Sequence, residues 1–461
     1  MMKSFAHIFE SIQIKAWKAG LNYNEAKIRA FDLPDLFLGT NGRKIFDSSN
    51  WLEIRRSELK RFFEEFIYGI SPDEFGRIEF TKTRSEANVF QCLAELKEIE
   101  ISFRDLPRGP TIHVLLFVPK SVHKPVPAIL GLNFFGNHTI HPNSNISIHN
   151  QWSATSRYFL LEEILPSIRT RGMDHGRWPI EALLERGYAV ATAFYGDLEP
   201  DFPDGWRYGI RALLPSLSEK NQAWNSRIFP SMKKRFSGYG GPPWARPNDW
   251  GAVAVWGWTT SRIMDYLLTD PDIRSSQVVL FGHSRLGKAA LWAGAQDERF
   301  AIVIANDSGC GGAALFRRNF GETIKLLNRV RPHWFCRNLR NLEDNELTLP
   351  VDQHMLIGLI APRPVYIASA SDDLAADPRG EFLSAREAGK VYKLFGLNGL
   401  GVETMPDLNT PVGDAIGYHI RSGRHGVMDY DWEQFIRFAD RHFGKADISS
   451  SRLEKEPSKS I

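Results

Sequence analysis

A serine in a sharp turn is the residue of this 461-residue chain that is best placed for nucleophilic chemistry. Residues 278–281, Val-Val-Leu-Phe, are typical of a buried strand, and residues 286–295, which are small and apolar, predict a helix. Ser284 lies between them, and Gly282 just before it is small enough for the strand and the helix to cross closely. Backbone N–H groups at the helix N-terminus could stabilise an oxyanion there. Alternatively, Ser284 only caps the helix, a position where serine is favoured.

Serine is a weak nucleophile until a base accepts its proton. His425 is the base candidate, because it lies in a loop just before the last predicted helix, residues 431–443. The chain order serine, acid, histidine is that of the α/β-hydrolases, in which the serine sits on such a strand-to-helix turn. His419 is a competing candidate, but it follows Tyr418 in an apolar-polar stretch that is more typical of packing.

Two aspartates could orient the histidine. Asp373 comes just after the predicted strand 364–370, where the acid of this fold usually stands, and Asp307 comes just after the predicted strand 299–306, one strand earlier. Either carboxylate could fix the tautomer of the histidine and stabilise the imidazolium. Asp372 stays open because it adjoins Asp373, and Asp307 could instead be a turn or cap residue.

Two cations accompany the serine. Arg285 could add positive charge to the oxyanion hole, or hold an acidic substrate through two parallel hydrogen bonds. Lys288 lies one helical turn from Ser284 and can face the same cleft. Both predict an oxygen-rich substrate with a carboxylate-derived group, whereas a solvated helix face would fit this otherwise apolar helix less well. The loop at residues 133–138 could supply another oxyanion N–H, or be an ordinary turn.

Strands that alternate with helices predict the fold class, a three-layer α/β/α sandwich with a mostly parallel sheet. Residues 77–118 predict antiparallel strands at the leading edge, and a long region, 140–177, predicts a polar surface insertion. Further strands are predicted at residues 126–133, 188–194, 278–281, 299–306 and 364–370, and helices at 51–68, 178–185, 250–268, 286–295 and 431–443. A second insertion is predicted at about 204–249.

The chain divides into three predicted parts. Residues 1–76 are a helical or irregular segment packed on the main domain, residues 77–445 are the catalytic domain, and residues 446–461 are a polar tail. We expect a monomer.

Composition and charge limit the classes of partner, metal site and location that we expect for the chain. The net charge of +3 argues neither for nor against nucleic acid on a chain of this length, but no long basic run occurs, and we expect no nucleic-acid partner. No stretch is long and apolar enough to span a membrane, and no secretory leader is visible, which predicts a cytoplasmic protein unless a leader has been removed. The three cysteines make no metal pattern, so we expect no metal; at most one disulfide could form, between Cys310 and Cys336. Four acidic residues at 197–204 predict a solvated loop rather than a cation site.

Several motifs together resemble the bacterial glucuronoyl esterases, carbohydrate esterase family 15. The elbow reads Gly282-x-Ser284-Arg285-x-Gly287-Lys288, and fungal members carry cysteine where His283 stands. The other matching segments are NDSGCGGAAL at 306–315, RRNFGET at 317–323, PHWFC at 332–336, LPVDQHMLIGLIAPRPVYIAS at 349–369 and GYHIRSGRH at 417–425.

The resemblance implies an α/β-hydrolase fold without a cofactor, which cleaves esters between (4-O-methyl)glucuronic acid on xylan and a lignin alcohol. It implies that Ser284 is the nucleophile, His425 the base and Arg285 an oxyanion stabiliser. The family acid stands at the position of Asp307, usually as glutamate, or at that of Asp373.

Three further points follow from the resemblance. Lys288 and Glu322 match positions that contact the uronate hydroxyls. Ala375 stands where relatives have a sugar-contacting tryptophan, in a D-x-W-A-D-P pattern. Family members are often secreted or periplasmic. Two other functions stay open, hydrolysis of acetylxylan or another carbohydrate ester by the same residues, and carbohydrate binding without turnover.

Overall fold

A ten-stranded sheet crosses the part of the chain that the computed structural model describes, residues 21–72, 76–106, 109–149, 167–213, 241–242 and 245–445. Its strands are β1 (Ile78–Val89), β2 (Ala94–Phe103), β3 (Ile112–Pro119), β4 (Val126–Asn133), β5 (Ala189–Phe194), β6 (Ile273–His283), β7 (Ile302–Asn306), β8 (Val365–Ala370), β9 (Val412–Gly413) and β10 (Ile416–Arg421). The spatial order is β1-β2-β3-β5-β4-β6-β7-β8-β10-β9. Strands β5, β4, β6, β7, β8 and β10 are parallel, and antiparallel pairs occur at both edges.

Helices connect and cover these strands. They are α1 (Arg56–Phe66), which continues the turns Ser48–Asn50 and Trp51–Arg55, α2 (Ile180–Glu185), α3 (Ala252–Leu267), α4 (Arg285–Gln296), α5 (Ile324–Val330), α6 (Gln353–Gly358), α7 (Pro378–Leu394) and α8 (Asp429–His442). Short 3₁₀ turns lie at Glu25–Lys27, Asn137–Thr139, Ile168–Thr170, His175–Arg177, Tyr195–Asp197, Gly205–Arg207, Ile210–Leu213, Phe316–Arg318, Arg337–Leu342, Glu346–Thr348 and Leu374–Ala376. Within the described ranges, no helix has the length and apolar character needed to cross a membrane.

Both faces of the sheet are covered, as the alternation of side chains along β6 demonstrates. Val278 and Leu280 pack into a core shared with helices α1, α3, α4, α6 and α7. Val279 and Phe281 point to the opposite face and pack against α2 and α8. A strand buried on both faces reads as a continuous apolar run, which is why residues 278–281 predicted it. The three-layer α/β/α fold class is confirmed.

The described part of the N-terminal segment packs on the main domain. Trp51 and Phe63 are fully buried in the core of the α4 face. The Arg56 guanidinium donates to the carbonyl oxygens of Ala295, at 2.9 Å, and Leu359, at 3.2 Å. The boundary at residue 76 stays a prediction, and the predicted tail at 446–461 lies outside the described residues.

The structure differs from the sequence predictions in one strand and one insertion. Strand β10 was not predicted, because its mixed polar and apolar residues did not distinguish a strand. The insertion at 140–177 is a surface segment only in part, since Ile168 and Met173 are exposed while Ile140 and Ile146 are fully buried in the α2 and α8 core. Most of the insertion at 204–249 lies outside the described residues.

Candidate active site

The turn that carries Ser284 is strained and held on both sides. Ser284 adopts φ +57° and ψ −128° between β6 and α4, a conformation that costs a non-glycine residue about 1–3 kcal/mol. Its N–H donates to the carbonyl oxygen of Asn306 on β7, at 2.9 Å, and its own carbonyl accepts from Gly287 N, at 2.9 Å. The Ser284 side chain makes no helix-capping hydrogen bond, so the capping alternative is not supported. Such strain is characteristic of a nucleophile turn.

His425 is bound by the later aspartate. Its Nδ1 lies 2.6 Å from Oδ2 of Asp373. The hydrogen bonds between β8 and β10 continue into the loops that follow these strands and carry Asp373 and His425. Ser371 N donates to Arg421 O and Asp372 N donates to Gly423 O, each at 2.9 Å. The Asp373 side chain is 9% exposed and that of His425 is 45% exposed. A buried carboxylate on Nδ1 leaves Nε2 of an accessible imidazole as the atom that can accept a proton.

His425 lies next to the nucleophile turn, where its ring packs against that of His283. The two imidazole rings lie 4.6 Å apart, and His283 directly precedes Ser284. Burial lowers the pKa of His283 well below its usual range, and the charges of His425 and Arg177 act in the same direction. His283 Nδ1 lies 2.8 Å from Oδ1 of Asn306. A neutral His283 therefore fills the space beside the base without adding a charge.

The earlier aspartate lies close to His425 without bonding to it. Oδ2 of Asp307 is 3.9 Å from His425 Nδ1 and accepts from Gly426 N at 3.1 Å. Its other oxygen, Oδ1, is buried without a hydrogen-bond partner. Burial raises the pKa of Asp307 well above its usual range, and the charges of Asp373 and Glu381 reinforce the shift. Geometry therefore favours Asp373 as the acid that orients His425.

The remaining sequence candidates lie elsewhere. His419 is fully buried, with Nε2 2.9 Å from Asp431 Oδ1 and Nδ1 2.9 Å from the Tyr366 hydroxyl, so it is a structural residue of the core. Asp372 is exposed, and its carboxylate accepts from the Ser371 hydroxyl rather than from His425.

Arg421 shapes the loop that presents His425, and sequence reasoning missed this role. Its Nη2 donates to the carbonyl oxygens of Arg424, at 2.9 Å, and Gly426, at 2.7 Å. Its Nε donates to Asp431 on α8, at 2.8 Å from Oδ2. The loop is therefore tied to β10 and α8 around the histidine. The only sequence signal was an arginine four residues before the base.

Arg285 is held by the carboxylate of Asp201, which belongs to the acidic loop that we predicted to be solvated. Its Nη1 lies 2.5 Å from Oδ2 of Asp201, which also accepts from the Tyr195 hydroxyl at 3.2 Å. The other Asp201 oxygen accepts from His333 Nε2 and Trp334 Nε1, both at 2.7 Å. Burial alone would raise the pKa of Asp201, but Arg285 and His333 lower it overall. The prediction of a solvated acidic loop was wrong, because buried hydrogen bonds satisfy this carboxylate.

Lys288 lies under the same cleft rather than on a solvated face. Its side chain is 4% exposed, and Nζ donates to the carbonyl oxygens of Ser308, at 2.6 Å, and Cys310, at 2.7 Å. Oε2 of Glu322 is 3.3 Å away. Lys288 and Glu322, predicted to bind substrate, are thus brought together. Cys310 and Cys336 are both buried free thiols, so the disulfide considered from the sequence is absent.

An aromatic residue from the N-terminal segment reaches this rim, and the sequence did not predict it. Asn22 O accepts from Gly321 N at 2.9 Å, and Glu322 N donates to Ala375 O at 2.8 Å. These bonds join residue 22, the loop of Glu322 and the loop of Ala375. Burial raises the pKa of Tyr23, and the nearby carboxylates of Glu322 and Asp373 raise it further. Residues 22 and 321 are far apart in the sequence, so no local sequence pattern could have predicted their contact.

The loop at residues 133–138 is held by internal hydrogen bonds and lies beside the turn. Asn133 Oδ1 accepts from Gly136 N at 2.8 Å, and Asn133 Nδ2 donates to Asn137 Oδ1 at 2.8 Å. The Phe134 ring lies 5.9 Å from His283 and 5.4 Å from the Arg285 guanidinium carbon. This placement fits the predicted contribution of the loop to an oxyanion site.

Ligand atoms of Asp307, Asp373 and His425 lie within 4.8 Å of one another, close enough to suggest a metal ion. The 2.6 Å contact between His425 and Asp373 is a direct hydrogen bond. Two ligands about 2.1 Å from a tetrahedral ion would stand farther apart, at about 3.4 Å. The arrangement therefore fits an acid-base pair.

Comparisons with known proteins identify relatives of the chain. A family model described as "Glucuronyl esterase, fungi" matches residues 244–396. A carbohydrate esterase from an unknown prokaryotic organism is 40% identical over 429 residues, which are 93% of this chain and 94% of that protein. The structure of a glucuronoyl esterase from Solibacter usitatus matches with TM-score 0.80 and 40% identity, covering 91% of this chain and all of that one (100%). A promiscuous esterase of carbohydrate esterase family 15 from a marine bacterial metagenome matches with TM-score 0.80 and 41% identity, covering 92% and 100%.

Proposed function

The chain belongs to the glucuronoyl esterases of carbohydrate esterase family 15, and on this premise we propose that it hydrolyses esters of glucuronic acid on xylan fragments through an acyl-enzyme. The observation that carries the proposal is the hydrogen-bonded pair of His425 and Asp373 beside the strained turn of Ser284. These three residues are in the chain order and loops that such a hydrolase requires.

Each step uses a group of this chain. The Ser284 oxygen attacks the ester carbonyl carbon while His425 Nε2 accepts the hydroxyl proton. The tetrahedral oxyanion is stabilised by backbone N–H groups of the turn and by Arg285. The C–O bond to the alcohol then breaks, and the alcohol leaves with the proton from His425. Water attacks the acyl-enzyme with His425 as base, which releases glucuronate and restores Ser284.

Asp201 supports the oxyanion role of Arg285 by fixing the guanidinium. A preorganised cation needs little reorganisation when negative charge develops, and such positioning accounts for much of electrostatic catalysis. The Phe134 and Trp334 rings, 5.4 Å and 5.6 Å from the guanidinium carbon, restrict it further. One side of the guanidinium is thus hydrogen-bonded to Asp201, while the side chain remains 25% exposed.

Lys288 and Glu322 are proposed to form the subsite for the sugar hydroxyls. The three N–H donors of Lys288 go to Ser308, Cys310 and Glu322, so Lys288 fixes the Glu322 carboxylate, 3.3 Å away, as the acceptor for hydroxyl groups. Ala375 offers little surface at the same rim, and one relative is described as promiscuous, so an acetylated sugar is the second candidate substrate.

Relative activity separates these substrates. We expect kcat/KM for benzyl glucuronate to exceed that for acetylated xylo-oligosaccharides by at least about tenfold. Only in the uronate ester is the carbonyl carbon the sugar C6, so that a sugar bound through its hydroxyls at Lys288 and Glu322 presents that carbon to Ser284. Faster deacetylation would assign the chain to acetyl esters. A folded protein that turns over neither these nor an activated ester would be a carbohydrate-binding protein without catalysis.

A further inference from the structure

One indole ring beside the nucleophile is surrounded by three cations. Trp334 is 4% exposed and donates from Nε1 to Asp201. The guanidinium carbons of Arg285 and Arg331 and the Nζ atom of Lys288 each lie 5.6 Å from its ring centroid. Cations at this distance are attracted to the face of an indole, so the ring gathers positive charge at the substrate cleft.

Two of the three charges are compensated. Arg285 pairs with Asp201, and Lys288 pairs with Glu322 at 3.3 Å. His333 adds no charge, because burial lowers its pKa in spite of the hydrogen bond with Asp201. The cluster therefore holds three permanent cations against two carboxylates.

The third charge, on Arg331, has no carboxylate of its own, because the two that attract it, Asp201 and Glu322, are already paired with Arg285 and Lys288. In the part of the chain that the structure describes, its guanidinium forms no ion pair and no hydrogen bond with a protein group, and its Nε is buried without a partner. An arginine stays protonated at neutral pH even when it is buried. Arg331 directly follows helix α5, and its main-chain carbonyl accepts from Trp334 N at 3.0 Å, which holds the arginine over the indole.

A single unpaired guanidinium at a cleft is suited to a carboxylate, which it can bind through two parallel hydrogen bonds. The ester substrate is uncharged at C6, whereas its hydrolysis leaves a carboxylate there. We propose that Arg331 is a binding residue for the uronate carboxylate that the reaction releases, so that the enzyme holds its acidic product more tightly than its neutral substrate. This inference rests on the proposed function.

Binding measured without turnover tests it. Isothermal titration of the full chain with glucuronate and with glucuronamide, a neutral isostere, gives the preference for the charged group. The wild type should bind glucuronate at least about tenfold more tightly, because a charge-assisted hydrogen bond contributes about that much affinity. Arg331→Gln should lose most of this preference, and Arg331→Lys should keep part of it.

A matched control lies two residues earlier in the sequence, in the last turn of α5. Arg329 is exposed, so Arg329→Gln removes an equal charge nearby and should leave the preference unchanged within about twofold. In the Arg331→Gln variant, KM for benzyl glucuronate should change less than about threefold, while the inhibition constant of glucuronate should rise about tenfold.

Three results would overturn the proposal: a wild type with equal affinity for both ligands, an Arg331→Gln variant that retains the preference, or an equal loss in Arg329→Gln. If Arg331→Gln does not fold, the wild-type preference and its partial retention in Arg331→Lys still decide. Ester turnover by the wild type is read separately, so a failure of the proposed function is distinguishable.

Discussion

Two carboxylates compete for His425 at the scale of single residues, and their surroundings separate their roles. Asp373 contacts Nδ1 at 2.6 Å, while Asp307 is 3.9 Å away. Burial and the neighbouring charges of Asp373 and Glu381 raise the pKa of Asp307, which favours its neutral form. We therefore propose that Asp373 is the carboxylate that stabilises the imidazolium, while Asp307 holds the loop through its hydrogen bond with Gly426 N.

Exchanging each aspartate for asparagine tests this division. Asp373→Asn should lower kcat/KM for benzyl glucuronate by about 10³- to 10⁴-fold, because asparagine in this role orients the wrong tautomer. The raised pKa of Asp307 favours its neutral carboxyl form, which asparagine resembles. Asp307→Asn should therefore keep kcat/KM within about tenfold of the wild type. The reverse ranking in steady-state kinetics would make Asp307 the triad acid.

Sequence predicted the residues of the site that follow strands, because strand ends are local. Ser284, Asp307 and Asp373 each come at or just after the end of an apolar run. Asp201 was misjudged, since its partner Arg285 is 84 residues away and nothing local distinguishes a buried acidic loop from a solvated one. Tyr23 was missed for the same reason.

At the scale of elements, the crossing of β6 and α4 depends on Gly282. A Cβ atom there would lie 2.1 Å from the carbonyl oxygen of Leu286 and 2.6 Å from its carbonyl carbon. Both contacts are with backbone atoms, so neither a rotamer change nor a flexible side chain could relieve them. The first residue of the Gly282-x-Ser284 motif is therefore required by the approach of the helix to the strand.

The substitution Gly282→Ala should displace the nucleophile turn. We expect it to lower the free energy of unfolding by about 1–3 kcal/mol, the usual cost of overpacking, and to reduce kcat further than that loss explains. Urea unfolding and esterase assays measure the two effects. Gly176→Ala is the control, because a Cβ there would meet nothing within 4 Å. Wild-type activity in Gly282→Ala would show that the turn tolerates a wider crossing.

At the scale of the whole molecule, one buried glutamate joins three elements beneath the site. Glu381 on α7 accepts from the hydroxyl of Ser308 and from Gly309 N, both at 2.9 Å. Both donors lie in the loop that follows β7. It also accepts from the hydroxyl of Ser369 on β8, at 2.6 Å. Burial raises the pKa of Glu381 to about 7 from 4.5, although these hydrogen bonds oppose the shift.

This pKa shift predicts how stability depends on pH. Between pH 4.5 and about 7 the folded chain binds a proton at Glu381 that the unfolded chain has lost, so stability falls as pH rises through this window. We compare the free energy of unfolding of the wild type with that of Glu381→Gln. The difference should favour the wild type by about 2 kcal/mol more at pH 5 than at pH 8. Urea unfolding of both proteins at the two pH values measures the difference. A constant difference would mean that Glu381 keeps an ordinary pKa.

The fold and the family indicate ester hydrolysis, and the geometry of the site supports the proposal that Ser284 is the nucleophile. The most direct test is the hydrolysis of benzyl glucuronate by the wild type and by Ser284→Ala at matched concentration, with circular dichroism to establish that both are folded. The account predicts turnover by the wild type and a loss of at least about 10³-fold in the variant, leaving only what the oxyanion site and binding provide. Equal turnover by both proteins, or none by a folded wild type, would contradict it.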